Sequence, residues 1–169
     1  MRMHTDGDLV DRIVDEWDSA FPDVGLAPVE VIVRIARIST LSLRALEHEL
    51  ARTAVSRGEY EVLGALVRND HPLRPGEVTT TTMVSPAATT KYVDALVRKG
   101  LVERGTWEQD KRVVLLRITD AGRELVRKVF PARVERDRRL LAGLDDDERA
   151  VLLGLLRRVT ANAEHAAPE

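Results

Sequence analysis

The sequence predicts a mainly α chain with one two-stranded β element, an α+β arrangement within 169 residues. Three observations predict it. Apolar residues recur at the three-and-four spacing of amphipathic helices over most of the length. Two short helical stretches lie close together between residues 75 and 99, each with a proline near its start, where a missing N–H costs nothing. Finally, LVERGTW (101–107) and RVVLLRIT (112–119) flank the charged EQDK, and their β-branched content reads as a hairpin.

Taken in order, Val10, Val14, Trp17 and Phe21 form one helical stripe, and the helix should stop near Phe21 because Pro22 follows. Pro28 suits the first turn of a second helix running to about residue 54, with Val29, Ile32, Val33, Ala36 and Leu43 as its apolar positions. The pattern restarts at Gly58, and Tyr60, Leu63, Leu66 and Val67 define a short third helix before the loop NDHPLRPGE. Pro75 and Glu77 open a fourth helix that contains Thr79, Thr80, Thr81 and Thr82. Each threonine costs up to about 0.7 kcal/mol relative to alanine, so packing must hold this helix. Ser85 is a good N-cap, Pro86 a good first residue, and Gly100 fits the position past the end of the fifth helix. From Asp120 helix returns, with Leu125, Val129, Val134 and Leu141 inward and a bend at Pro131. Asp145 caps a last helix whose stripe is Val151, Leu152, Leu155, Leu156 and Val159.

Two short helices joined by a tight turn and followed directly by a hairpin have the order of a winged helix-turn-helix, here with a helical dimerisation lobe. In the fifth helix Thr89, Val93 and Leu96 share one side, while Ala87, Lys91, Asp94 and Arg98 cluster on the other. Small residues at its start allow close approach to a major groove, Thr90 can hydrogen-bond to bases or phosphate, and Lys91 can meet phosphate or guanine. The DNA-contact candidates are Ser85, Pro86, Ala87, Ala88, Thr90, Lys91 and Arg98, joined by Lys111 and Arg112 at the hairpin tip, with Asp110 placed to orient the arginine. A lone helix of this kind is more often just a solvated face; the combination with the hairpin favours DNA.

Charge distribution alone favours neither reading strongly. Residues 1–30 hold eight acids against two arginines, whereas residues 73–118 hold eight bases against five acids. A basic segment inside a chain of net charge -2 suits a polyanion footprint or a solvated face. The absence of cysteine excludes disulfides, zinc thiolate sites and thiol sensing. His4, His48, His71 and His165 lack a metal-ligand spacing or a nucleophile partner. No enzyme, metal or cofactor is therefore expected. With no membrane-length apolar run and no signal-like start, a cytoplasmic protein is expected.

The stretch EVTTTTMVSPAATTKYVDALVRKGLVER, then DKR, then LRITDAG, resembles the MarR family of dimeric transcriptional regulators over residues 58–124. That resemblance implies a recognition helix beginning at Ser85 and a wing-tip Arg112 entering the minor groove. The threonine run and Lys91 depart from the family's usual alanine, leucine and arginine. The front of the chain resembles the extra N-terminal helix of the urate-responsive, PecS-like branch. By that resemblance Trp17, Glu61 and Arg104 fall on ligand-site positions, and Tyr92 on a fourth where the branch has arginine. From the residues alone, Trp17 is by default a packing residue, Tyr92 an edge-of-core residue, and Glu61 with Arg104 an ion pair tying wing to helices.

The expected organisation is an extra helix (1–22), a dimerisation lobe (27–57 with 120–166) and a DNA-binding lobe (58–119). The leading expectation is a homodimeric regulator, a repressor, that binds a pseudo-palindrome of double-stranded DNA and is released by a small anionic effector, a urate-like purine or a carboxylate. Apolar stripes at both ends exceed what the small central lobe can cover, which implies the dimer. The alternative is a protein-binding winged-helix adaptor without a small-molecule ligand.

Overall fold

The computed structural model describes residues 7–82, 84–107 and 109–166, and of Trp107 only the backbone; Glu108 of the expected hairpin loop lies outside the described residues. The elements are α1 (Leu9–Ala20), α2 (Ala27–Leu50), α3 (Arg57–Val67), α4 (Pro75–Thr80), α5 (Pro86–Arg98), β1 (Val102–Trp107), β2 (Asp110–Ile118), α6 (Asp120–Leu140) and α7 (Asp146–Ala166). The chain is mainly helical with a two-stranded antiparallel wing, as expected. It divides into two compact units, one up to Val126 and one from Arg127.

In the first unit the core takes one face from each element: Leu46 and Leu50 of α2, Leu63 and Leu66 of α3, Val78 of α4, Val93 and Leu96 of α5, and Val102, Leu116 and Ile118 of the sheet. The wing pairs Val102 with Ile118 through Thr106 with Val114, and its register slips between Thr106 and Trp107. β2 begins at Asp110, two residues before the expected start, so the loop is shorter than EQDK. Leu73 adds a short third rung, giving its N–H to the Leu116 carbonyl at 3.0 Å and accepting the return bond at 2.8 Å. The sequence reading placed Leu73 in plain loop, because a single bridging residue has no alternation to reveal it.

Two helix ends differ from expectation for local reasons. α2 stops at Leu50, not near 54: the Thr53 hydroxyl turns back to the Leu50 carbonyl at 2.7 Å, and Ala54 is left-handed at φ 55, a conformation that costs an alanine about 1–2 kcal/mol. α4 ends at Thr80, so only two threonines lie inside it. The hydroxyls of Thr81 and Thr82 donate to the carbonyls of Glu77 and Val78 at 2.8 and 2.9 Å, satisfying the last turn from the side chains. Val78, fully buried, contributes roughly 1.5–3 kcal/mol. That exceeds the helix penalty of two threonines, about 1.4 kcal/mol at most.

α3 starts with a capping box. Ser56 Oγ accepts the Glu59 N–H at 3.3 Å, and Glu59 Oε2 accepts the Ser56 N–H at 2.7 Å. The same carboxylate, only 5% exposed, also accepts from Lys99 Nζ at 2.7 Å on both oxygens. Lys99 donates at 2.7 Å to the carbonyl of the left-handed Ala54 as well. One ammonium therefore joins the end of α5, the start of α3 and the strained turn between α2 and α3. Gly100, at φ +69, lets the chain leave α5 for the wing at a conformation glycine adopts freely.

At the front, Asp8 caps α1 by accepting the N–H groups of Val10 and Asp11 at 2.7 and 3.0 Å. Arg34 of α2 pairs with Asp8 at 3.6 Å, Glu30 at 2.9 Å and Asp11, fastening α1 along α2. The stripe of α1 buries Val10, while Trp17 and Phe21 stay 51% and 52% exposed with their rings stacked at 5.6 Å. From Arg127 onward α6 continues through Pro131, and Val129 is buried, but Val134 and Leu141 are exposed where inward positions were expected. Asp145 caps α7 by accepting the Glu148 N–H at 2.8 Å, and Glu148 returns the bond at 2.9 Å. No residue of α7 is buried, and Val151 is 63% exposed.

Burial pushes the Glu59 carboxyl up, but the bonds from Lys99 and Ser56 outweigh it and hold its pKa below the ordinary 4.5. A depressed folded-state pKa gives stability that is present above the unfolded value and lost as pH falls through the folded one. Thermal melts should therefore show wild type losing stability below about pH 4.5, with Glu59→Gln showing a smaller acid dependence. Lys99→Ala, which leaves the carboxylate buried and unpaired, should cost about 2 kcal/mol at pH 7, less than the roughly 3–5 kcal/mol of a fully buried pair because Lys99 is a third exposed.

Candidate nucleic-acid interface

The fifth helix is built to present one face. Ser85 Oγ accepts the Ala88 N–H at 3.4 Å, Pro86 opens the first turn, and α5 packs on α3, α4 and β1. Thr89, Val93 and Leu96 are buried, the three positions expected on the packed side. Thr89 is held by polar contacts: the Thr79 hydroxyl donates to it at 3.0 Å, and Thr89 donates to the Ser85 carbonyl at 3.0 Å. This bonded pair fixes the angle between α4 and α5.

Ser85, Pro86, Ala87, Thr90, Lys91 and Arg98 are exposed and Ala88 is half-buried. Thr90 donates weakly to the Pro86 carbonyl, at 3.4 Å. Lys91 and Arg98 make no ion pair among the described residues. Lys111 and Arg112 are exposed at the start of β2. Asp110 acts there on the main chain: its Oδ1 accepts the Arg112 N–H at 2.9 Å, so what it orients is the backbone of Arg112 and not its guanidinium.

The four residues singled out as a ligand site are placed on four elements. Trp17 lies on α1, Glu61 on α3, Tyr92 on α5 and Arg104 on β1, and no hydrogen bond, ion pair or ring contact joins any two of them among the described residues. Arg104 pairs with Asp94 of α5, not with Glu61 as the default reading held. The physical reason is strand alternation. Arg104 shares with Val102 the face packed on α5, so the acid it meets is one of that helix. The wing is thus tied to α5 itself. Tyr92 is half-buried with its ring over Gly58, where an added Cβ would stand 2.2 Å from Cε2 and 2.3 Å from Cζ.

Sequence reasoning passed over Glu59 and Lys99. The available signal was S-R-G-E, a capping box spacing at residues 56–59; its partnership with Lys99 had none. Among the described residues no group of three His, Asp or Glu side chains could hold a metal ion, and no helix is long and apolar enough to cross a membrane.

The profile of the MarR family matches residues 55–113. The HTH-type transcriptional regulator PecS of Dickeya dadantii is 31% identical, over 89% of this chain and 92% of that protein. Among solved structures, Streptococcus pneumoniae FabT in complex with DNA superposes with a TM-score of 0.69 at 26% identity, over 81% of this chain and 97% of that one. Wild-type MarR of E. coli, in its apo form, superposes with a TM-score of 0.63 at 27% identity, over 80% and 97%.

Gly58→Ala should force the Tyr92 ring aside and lower stability by about 1–3 kcal/mol. In a double-mutant cycle by thermal melting, the same change should cost less in a Tyr92→Ala background; equal costs would show that the ring turns away freely.

Proposed function

We propose, because this chain belongs to the MarR family of transcriptional regulators, that it acts as a homodimeric, cytoplasmic repressor on a pseudo-palindromic DNA site and leaves that site when it binds a small anionic effector. The observation that carries the DNA reading is the pair of faces on α5. Thr89, Val93 and Leu96 are buried, while Ala87, Thr90, Lys91 and Arg98 are open. The small residues of the first turn let the helix enter a major groove, Thr90 and Lys91 reach base edges or phosphate, and Ser85, Pro86 and Ala88 set how closely the helix start approaches. Exposed Lys111 and Arg112 carry the wing toward the adjacent minor groove, where a narrow groove favours arginine.

The dimer is supported by apolar residues that one chain leaves in water, among them Val151, Leu153, Leu155 and Leu156 of α7 and Val31, Ile38 and Leu41 of α2. In this reading residues 27–57 and 120–166 form the dimerisation lobe, residues 58–119 the DNA-binding lobe and residues 1–22 an added helix. Two-fold symmetry sets recognition helices about 34 Å apart for successive major grooves.

The effector reading rests on Trp17, Glu61, Tyr92 and Arg104, with a urate-like purine or a carboxylate as the ligand class. An anion that takes Arg104 from Asp94 unties the wing from the recognition helix. Such a ligand shifts the DNA-binding state only through its different affinity for the tied and untied forms.

Duplexes selected by the protein from a random pool test the DNA reading: failure to enrich any sequence at moderate salt would sink it. With an enriched duplex, Lys91→Ala should weaken binding and reduce the slope of log affinity against log salt by about 1, and Arg112→Ala should cost about 1–3 kcal/mol. For the effector, urate, xanthine and small di- and tricarboxylates are titrated while tryptophan fluorescence and duplex release are followed together. Quenching that coincides with release and disappears in Trp17→Phe is the expected result; release that persists in Trp17→Phe would remove Trp17 from the site.

A further inference from the structure

The Thr79–Thr89 hydroxyl pair connects the beginnings of two helices. Thr89, 1% exposed, donates at 3.0 Å to the carbonyl of Ser85, the N-cap of α5. Thr79 lies 3.0 Å from the Thr89 hydroxyl oxygen and 3.1 Å from the carbonyl of Pro75, the first residue of α4. A hydroxyl has one proton, so Thr79 donates to one of these two acceptors at a time.

Stability does not account for two hydroxyls at this place. Replacing both members of a buried hydrogen-bonded pair by apolar groups of the same shape is nearly neutral or stabilising, and valine has the shape of threonine. What the pair adds is direction. Burial of Val78 of α4 and Val93 of α5 holds the helices together without fixing an angle, whereas a hydrogen bond has a distance and an angle to keep. On a helix 10–12 Å across with its side chains, a turn of about 10° about the axis moves a side-chain end by roughly 1 Å. That displacement takes a base-edge hydrogen bond out of its range of about 2.7–3.2 Å. A contact to phosphate from a long, rotatable lysine follows the same displacement without loss.

We propose that the Thr79–Thr89 bond sets the rotation of α5 and thereby the sequence discrimination of the protein, both threonines being positioning residues that act through Thr90 and Lys91. The inference rests on the DNA reading above. It makes a distinction that simple loss of packing does not: discrimination between sequences falls while sequence-independent binding stays.

Valine at either position removes the bond between the helices and orphans nothing. In Thr79→Val, Thr89 still donates to Ser85; in Thr89→Val, Thr79 still donates to Pro75. Affinities of the full chain for a duplex enriched from the random pool and for a scrambled duplex of the same length are measured across a salt series. Each single valine variant should lower the ratio of the two affinities by roughly tenfold, the share of one base contact. Affinity for the scrambled duplex and the salt slope, which report phosphate contacts, should stay at wild-type values. The double variant should lose no more than either single one, because there is one bond to lose, and Thr79→Ser, which keeps the hydroxyl, should keep the ratio. A wild-type ratio in the valine variants overturns the proposal. So do equal losses on both duplexes, losses that multiply in the double variant, or a serine variant that behaves like valine. A wild-type protein that enriches no duplex overturns the DNA reading and this inference with it, whereas the other outcomes overturn this inference alone.

Discussion

The bonded group of Glu59, Lys99 and the Ala54 carbonyl is the constraint on which the rest of the first unit depends. Three segments with no sequence proximity meet there: the turn after α2, the first turn of α3 and the last turn of α5. A carboxylate this deeply buried requires a cation, since an unpaired charge in low dielectric costs several kcal/mol. The ammonium in turn requires α5 to end where it does, at Arg98, two residues before Gly100 turns the chain into the wing. Helix ends, turn and wing origin therefore cannot shift independently.

Around that point α5 is held by contacts that differ in kind along its length. Its start is set by the Ser85 cap and by the Thr79–Thr89 hydroxyl pair, its middle by Val93 and Leu96, and its end by Lys99. Polar bonds are directional and apolar burial is not, so the hydroxyl pair and the Lys99 clamp fix rotation about the helix axis while the core fixes its depth. The consequence is functional. Ala87, Thr90, Lys91 and Arg98 point outward as a set because the opposite face has no freedom to turn.

Beside the buried Val102, Leu116 and Ile118 of the wing and Val10 of α1, exposed charge pairs also join each of these elements to a neighbour. Arg104 reaches Asp94 with both side chains about two-fifths exposed, and Arg34 reaches three acids that are themselves in water. Exposed pairs contribute about 0–1 kcal/mol, little enough for a charged ligand to compete with. The wing is therefore held chiefly by its buried residues, and the Arg104–Asp94 pair adds a weak contact at the surface.

The sequence by itself determined what depends on neighbours in the chain. Ser85 and Pro86 announced the start of α5, Gly100 its end, Asp145 the start of α7, and the strand-favouring residues either side of a charged loop the wing, because caps, turns and local propensity act over a few residues. The split of α5 into a packed and a free face was equally legible from its spacing. What only the tertiary structure decided are the partnerships across the fold. Glu61 was the default ion-pair partner of Arg104 from the residues alone, but in the fold Arg104 meets Asp94 of α5. Glu59, two positions earlier, carries the buried charge because its capping role faces it into the core toward Lys99, 40 residues away. Leu73 joins the sheet through one rung, and α2 stops at Leu50 because a hydroxyl and a left-handed alanine intervene. Pairing of this kind is set by where elements come to lie, and no local pattern encodes it.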